Sequence, residues 1–474
     1  MEIQAAIVLV LVFFLMLAMS VPVSFSIISA SLLTIIMFLT PGFGMFVSAQ
    51  KIVSGIDSFT LLAVPFFVLA GLLMSSGGIA KRLINLAMLF LGRVPGSLAM
   101  TNIAGNAMFG SISGSGIAAA TAIGGVMLPL EEEQGYDKGF SAAVNIATAP
   151  VGQLIPPTAS FIVYSAASGG VSVAALLMAG WVPGLLWAAL CMVVACVYGA
   201  KHGYVMKRDK MTAAIILKTI WEAIPSLFLI VIIIGGILSG YFTPTEASGV
   251  AVVYAFLLSV FVYKSIQIKD IPKILVDTAV MTTIVMLIIG ASSVLSFVLS
   301  FTGLPQAISS LLLGISDNRI VILLIINITL LIVGTFMDMA PALLIFTPIF
   351  LPIVKSLGMD PIQFGVMIVM NLSIGTITPP VGNVLFVGCS VARLQVEDVM
   401  KKLLPFFIAI VAALMFITFV PGFSMWLPGC RLPRYLTKPR QRRSEWDMAG
   451  SDGISRVSAV FRGKSLLTNK MRII

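Results

Sequence analysis

Hydrophobic positions in this chain fall in long unbroken runs, with neither the alternation of half-buried strands nor the one-sided stripe of soluble helices. Apolar stretches near residues 4–19, 22–40, 58–76, 138–164, 172–200, 212–240, 246–264, 274–301, 361–388 and 402–426 approach the length at which a helix crosses hydrocarbon, about 20 residues. They predict ten membrane spans. Residues 96–130 and 320–354 are each too long for one span and are interrupted midway by small residues or proline. Both are read as re-entrant helical hairpins that enter and leave by one face. The predicted fold is all-α and integral to the membrane, with about ten transmembrane helices and two hairpins.

Composition agrees with this reading. The 474 residues are 59% hydrophobic and 10% charged, with a mean hydropathy of +1.09, whereas soluble domains are roughly half apolar and a quarter charged. The opening "MEIQAAIVLVLVFFLMLAMS" lacks a basic leader, and its apolar character continues through residue 40, so a first span is expected rather than a cleaved signal. Cys191, Cys196, Cys389 and Cys430 sit in apolar contexts and form neither a disulfide framework nor a metal motif. The net charge of +10 lies in short loops and in a tail, where residues 431–474 hold eleven Lys/Arg against three Asp/Glu. That distribution sets topology and does not make a nucleic-acid surface. Residues 429–474 are expected to be a disordered basic appendage.

Lysine and arginine near span ends orient a membrane protein. By this rule the basic loops 201–210 and 264–273 face the cytoplasm, together with Lys81, Arg82, Arg93, Arg393, Lys401 and Lys402. The first hairpin then opens from the cytoplasm and the second from outside. The same count places both termini outside, which sets the basic tail against the rule.

An internal repeat says more than the topology. Residues 128–157 align with 351–380 without a gap and with seven identities. These include Leu-Pro, the Gly-x-Asp of Gly135/Asp137 and Gly358/Asp360, and Gly-x-x-x-Pro-Pro in "GQLIPP" and "GTITPP". With five spans between equivalent points, the two units are expected to be inverted in the membrane. Inverted repeats with broken helices are the architecture of secondary transporters.

The chemistry concentrates at the breaks. Two successive prolines interrupt the helical ladder and free backbone groups, which in lipid must find partners. The first hairpin's turn, "GSISGSGIAAATAIGG", offers hydroxyls and close backbone approach, suited to a small hard cation or to tight helix packing. At the second turn, "GTFMDMAP", Asp338 is the only charged residue between Arg319 and Lys355. An ionisable group at membrane depth points to function, and Asp338 falls opposite Ser115 in the alignment. No Lys or Arg occurs in 94–137, 139–200 or 361–392. An anionic substrate would therefore depend on helix N-termini, Ser/Thr/Asn donors and bound cations. The sole histidine, His202, lies in a basic loop, and no Gly-x-Gly-Asp motif accompanies Tyr136-Asp137, so no intramembrane enzyme is expected. A channel fits the paired hairpins less well than an occludable site.

The runs "GSISGSGIAAATAIGG", "GYDKGFSAA", "GQLIPPTASFIVY", "GYFTPTEASGVAVVYAF", "GTFMDMAPALLIFTPIFLPI" and "GTITPPVGNVLFV" together resemble the large membrane subunit of tripartite ATP-independent periplasmic (TRAP) transporters, over about residues 1–428. The resemblance implies a multi-pass bacterial inner-membrane protein of the ion transporter superfamily, a scaffold with a moving transport domain that works as an elevator. It implies sodium as coupling ion with no other cofactor, and an organic acid as substrate, such as a C4-dicarboxylate or sialic acid. Two partners are implied, a periplasmic substrate-binding protein and a small four-span membrane subunit. The domains expected are scaffold helices with an interfacial arm in 1–95, a first transport repeat in 96–200, scaffold helices with a second arm in 201–319, and a second transport repeat in 320–428.

Carried over by position, the sodium-binding candidates are Ser111, Ser113, Gly114, Ser115, Gly152, Pro156, Asp338, Gly375, Thr376, Thr378, Pro379 and Gly382. The substrate-binding candidates are Ser115, Pro157, Thr158, Pro380 and Asn383. Glu246, in "TPTE", is expected to have a structural role. A relative that takes substrate straight from solution, without a binding protein, is disfavoured because no Ser-Asn-Thr tripeptide occurs. The departure from the family is the tail, since members usually stop soon after a segment like "VPGFSMWLP".

Overall fold

The two stretches that align without a gap are built alike. In the computed structural model the first hairpin is the helix pair Ser97–Ser113 and Gly116–Glu133, and the second is Arg319–Phe336 and Met339–Ser356. Each hairpin ends at a glycine with positive φ, Gly135 at 80° and Gly358 at 76°. There the Tyr136 amide donates to Glu131 O and the Gly135 amide to Glu132 O, matched by Met359 to Val354 O and Gly358 to Lys355 O. This crossed pair of bonds closes a helix C-terminus and needs the left-handed residue that glycine supplies without steric cost. Two residues on, Asp137 and Asp360 cap the next helix by accepting from the Phe140 and Ile362 amides at 2.8 and 2.7 Å. The Gly-x-Asp motif is thus a helix stop followed by a helix start.

The structure describes residues 2–431 except 20, 39–40, 93, 205–212, 304–306, 309, 311–313, 315, 317 and 380. Arg93, Pro380, most of the 201–210 loop and all but the first few residues of the 429–474 tail lie outside them.

After each capping aspartate the chain enters a broken helix. The first runs Lys138–Thr148, tightens into a 3₁₀ turn at Ala149–Gln153, and resumes at Ala159–Ala167. The second runs Pro361–Gly375 and resumes at Asn383–Ala392. Every residue from Gly139 to Thr148 and from Ile362 to Gly375 is buried. These two half-helices are the centre of the fold, and the polar side chains on them bond inward. Asn106 of the first hairpin donates to Asn145 Oδ1 (3.1 Å) and Thr148 Oγ1 (3.0 Å). In the second unit Asn371 donates to Asn327 Oδ1 at 2.8 Å.

Around this centre, Val173–His202 and Val396–Phe419 pack against the broken helices. A separate group of helices, Val23–Phe38, Pro41–Ile56, Ala63–Ser76, Pro244–Leu257 and Ile271–Phe301, packs among itself. Ile79–Leu91 lies along the first hairpin with Ile79, Leu83, Ile84 and Ala87 buried. Glu246 closes a capping box, accepting from the Thr243 amide at 2.8 Å while its own amide donates to Thr243 Oγ1.

Eight helices among the described residues are long and apolar enough to cross a membrane, and both arms of the second hairpin are among them. The segments 4–19 and 22–40 appear as the shorter helices Glu2–Ala18 and Val23–Phe38. The span read at 402–426 needs correction. Its helix starts earlier, at a Gln395–Asp398 capping box, and ends at Phe419, because Pro421 cannot continue the ladder; Gly422–Arg431 is a separate short helix.

Candidate functional site

The hairpin tips and the broken helices meet around a cavity of about 330 Å³. Ser115, Gln153, Ser160, Asp338, Thr376 and Asn383 supply its polar side chains, and Val64, Val68, Met281, Ile284 and Val285 contribute apolar lining from two other helices. The division is sharp. Hydrogen-bonding groups come from the hairpins and broken helices, while helices Ala63–Ser76 and Ile271–Phe301 present hydrocarbon and a thioether. An adjoining cavity of about 150 Å³ shares Gly114, Ser115 and Ala159 and adds Ser113 and Pro157.

Local structure explains how each polar group arrives. Ser115 is the N-cap of Gly116–Glu133 and accepts from the Ala118 amide at 3.3 Å. Asp338 holds the equivalent position at the start of Met339–Ser356, yet its side chain makes no capping hydrogen bond and is exposed. Among the described residues it is the only charged one lining the cavity. Thr376 lies just past the end of Pro361–Gly375, and its carbonyl accepts from the Val384 and Leu385 amides at 3.0 and 3.2 Å. Asn383 opens the helix that follows.

Three hydrogen bonds tie the two units together, two of them at residues that line the cavity. Ser373 Oγ donates to Gln153 Oε1 at 3.0 Å, joining one broken helix to the other. Ser160 Oγ donates to Met339 Sδ at 2.9 Å, and Tyr164 OH donates to Pro361 O at 2.6 Å. The cavity is therefore one site made from both units.

The structure brings Ser113, Gly114, Ser115, Pro157, Asp338, Thr376 and Asn383 to these cavities. The other candidates take other places. Ser111 Oγ donates to Met108 O within its own helix, and Thr378 Oγ1 donates back to Ile374 O in the helix that precedes it. Thr158 caps Ala159–Ala167 by accepting from the Ser160 amide. Pro156 is buried, joined to Pro157 by a cis peptide, and Pro379 is exposed. The Gly382 amide donates to Thr335 O at 3.3 Å.

Gly152 and Gly375 have a packing role that their spacing alone did not show. A Cβ on Gly110 would come 2.8 Å from Gly152 Cα, and one on Gly334 would come 3.1 Å from Gly375 Cα. In both units, then, a hairpin arm crosses a broken helix at a glycine pair, backbone against backbone.

Sequence reading missed Gln153, Ser160 and Met281. Gln153 carries a findable signal, as a lone amide inside the apolar break "GQLIPP". Met281 carries none, because it comes from a distant apolar run.

Comparison with known proteins places this geometry. Residues 10–423 match the family model for the tripartite ATP-independent periplasmic transporter, DctM component. An uncharacterised protein, YgiK, of Salmonella typhimurium is 49% identical over 88% of this chain and 95% of its own length. The sialic acid TRAP transporter large permease protein SiaM of Vibrio cholerae is 38% identical over 86% of this chain and 94% of its own. Among solved structures, the YdaH transporter of Alcanivorax borkumensis superposes with a TM-score of 0.56, over 81% of this chain and 90% of that one. At 13% identity that likeness concerns fold alone. The chain therefore belongs to the tripartite ATP-independent periplasmic transporter family as its DctM component, a large permease of multi-pass bacterial inner-membrane transporters for organic acids.

Proposed function

We propose that this permease is a sodium-coupled importer of an organic acid delivered by a periplasmic binding protein, completed by a small four-span membrane subunit. The observation that carries the reading is Asp338. It stands at a helix N-terminus without capping it, and it lines a cavity with no Lys or Arg among its described lining residues.

An anionic substrate entering that cavity meets a carboxylate of the same sign. Two such charges about 4 Å apart repel by roughly 4 kcal/mol at an effective dielectric constant of 20, close to three powers of ten in affinity. A monovalent cation held by Asp338 and neighbouring oxygens removes that penalty, so substrate binding requires the ion. Oxygen donors are the right chemistry for a hard cation. Ser115, Thr376 and the carbonyls of both breaks provide them, with the remaining candidate residues behind them. The two units would be inverted in the membrane, and the apolar wall from Val64, Val68, Met281, Ile284 and Val285 suits a surface along which a polar transport unit slides, as an elevator does.

Uptake by proteoliposomes carrying the complete complex should need both an inward sodium gradient and the cognate binding protein. Equal uptake with sodium replaced by potassium overturns the coupling. Asp338→Asn should lower the apparent sodium affinity about tenfold or more while the protein still folds; an unchanged sodium response removes Asp338 from the site. The ligand retained by the binding protein identifies the acid.

A further inference from the structure

Glu131 sits in the last turn of the first hairpin, within the triplet Glu131-Glu132-Glu133. Glu132 and Glu133 are exposed, and Glu132 pairs with Lys138 at 2.7 Å. Glu131 is turned the other way, into the seam between the hairpin and the first broken helix, and is 0% exposed. Its Oε1 accepts one hydrogen bond, from Asn102 Nδ2 at 3.2 Å. Its Oε2 and the hydroxyl of Ser141 are both buried without a well-formed hydrogen bond, and they lie close enough to interact with each other.

Among the described residues no cation compensates this carboxyl. Helix Ser97–Ser113 faces it with Asn102, and helix Lys138–Thr148 with Ser141. From the turn between them, Tyr136 is the titratable group that interacts with it. On Ile79–Leu91, Lys81 is exposed and Arg82 is engaged over the Tyr263 ring, 3.6 Å from its centroid. On Asn383–Ala392 the titratable side chain is Cys389, and the nearby Lys402 is paired with Asp137. A fully buried carboxylate with no counter-charge is costly even where neighbouring polar groups reach it. Ser141 Oγ can donate to the carboxylate or accept from the acid, so it serves either form, and the neutral acid is the one that needs no counter-charge.

We propose that Glu131 is a proton-binding site in the seam of the first hairpin, occupied by a proton taken from solvent when the hairpin is seated on the broken helix. The site goes beyond the sodium reading and does not rest on it. Ionisation leaves an unpaired charge in the seam and loosens the hairpin's second arm. The second unit has no such site, since the residue 223 positions on is Val354, also buried.

Glu131 lies outside the spans, at the hairpin's mouth, and its burial pushes the carboxyl up to about 7 from an ordinary value of 4.5. A raised acid stabilises the fold below its unfolded value and loses that contribution as pH rises through its folded value. The loss should therefore run from about pH 4.5 to about pH 7. The test is the thermal midpoint of the purified full-length chain against pH, wild type beside Glu131→Gln, whose amide cannot ionise. From pH 5 to pH 8 the wild type should lose about 3 °C or more relative to the variant. Parallel curves overturn the proposal, and so does a gap that follows sodium concentration instead of pH. If Glu131→Gln does not fold, Glu131→Met, apolar and of similar volume, takes its place in the same comparison. In the wild type, infrared spectroscopy should show a protonated-carboxyl band that disappears as pH rises through 7 and that the variant lacks; a band equally present in the variant overturns the assignment.

Discussion

The two hairpin units share a backbone plan and differ in the side chains that occupy it. Both end the hairpin at a left-handed glycine, cap the next helix with aspartate, and cross hairpin on broken helix at a glycine pair. At the tips they diverge. Ser115 spends its side chain on the helix it caps, whereas Asp338, in the equivalent place, leaves its own uncommitted. In the seams the difference reverses, with an acid at Glu131 against a valine at Val354. Backbone geometry is thus held in common, while each unit carries a distinctive acidic side chain at a different level, Glu131 in the seam of the first and Asp338 at the tip of the second.

The shared plan can be broken at the glycine pairs. Gly152→Ala and Gly375→Ala each drive a methyl group into the backbone of the facing hairpin arm, and overpacking of this kind costs about 1–3 kcal/mol or more. Both variants should lose thermal stability sharply, with loss of the monodisperse peak in size-exclusion chromatography. Gly125→Ala on the same hairpin meets nothing within 4 Å and should be neutral, or gain up to about 1 kcal/mol from helix propensity. If one member of the pair tolerates alanine as Gly125 does, the two crossings are not equivalent.

The tips sharpen the comparison at a smaller scale. Ser115→Ala removes a side-chain cap and should cost about 1 kcal/mol of stability. Asp338→Ala removes no capping bond and should cost only the few tenths of a kcal/mol that a charge contributes near a helix N-terminus. The functional order is the reverse, with the larger change in sodium-dependent uptake at Asp338. Equal stability losses at the two positions would show that Asp338 is a cap in solution.

These contrasts mark what was legible in the sequence. Long apolar runs made the helices readable, since each needs only length and hydrophobicity. The Gly-x-Asp and Gly-x-x-x-Pro-Pro repeats were readable because glycine, proline and aspartate act through local backbone geometry. Asp338 stood out because nothing else near it carries charge. Gln153, Ser160 and Met281 were hidden, since what brings them to the cavity is packing between segments far apart in the chain. Glu131 was hidden in another way. In a run of three glutamates, only the rotation of the helix decides which one faces the core.

The finest difference lies in the shared capping aspartates, whose surroundings move them in opposite directions. Burial works against the charge of Asp137, but the Lys402 ammonium and the Phe140 amide outweigh it and hold the carboxyl below the usual carboxylate range. At Asp360 burial prevails over the Ile362 and Gln363 amides and raises the carboxyl. Asp137 therefore contributes stability that is present above the ordinary aspartate value and lost as pH falls through its depressed folded value. The contribution of Asp360 is present below the ordinary value and lost as pH rises through its raised one. Asparagine caps a helix as well as aspartate, so the Asn variants isolate charge from capping. Asp137→Asn should cost about 0.2–1 kcal/mol at pH 7, the range for a partly exposed ion pair, and its gap to the wild type should close on acidification. Lys402→Met should reproduce that behaviour. For Asp360→Asn the wild type should instead gain relative stability on acidification. Thermal midpoints across pH 3 to 7 measure all three, and gaps that move in the same direction would show that what packs on the motif does not tune it.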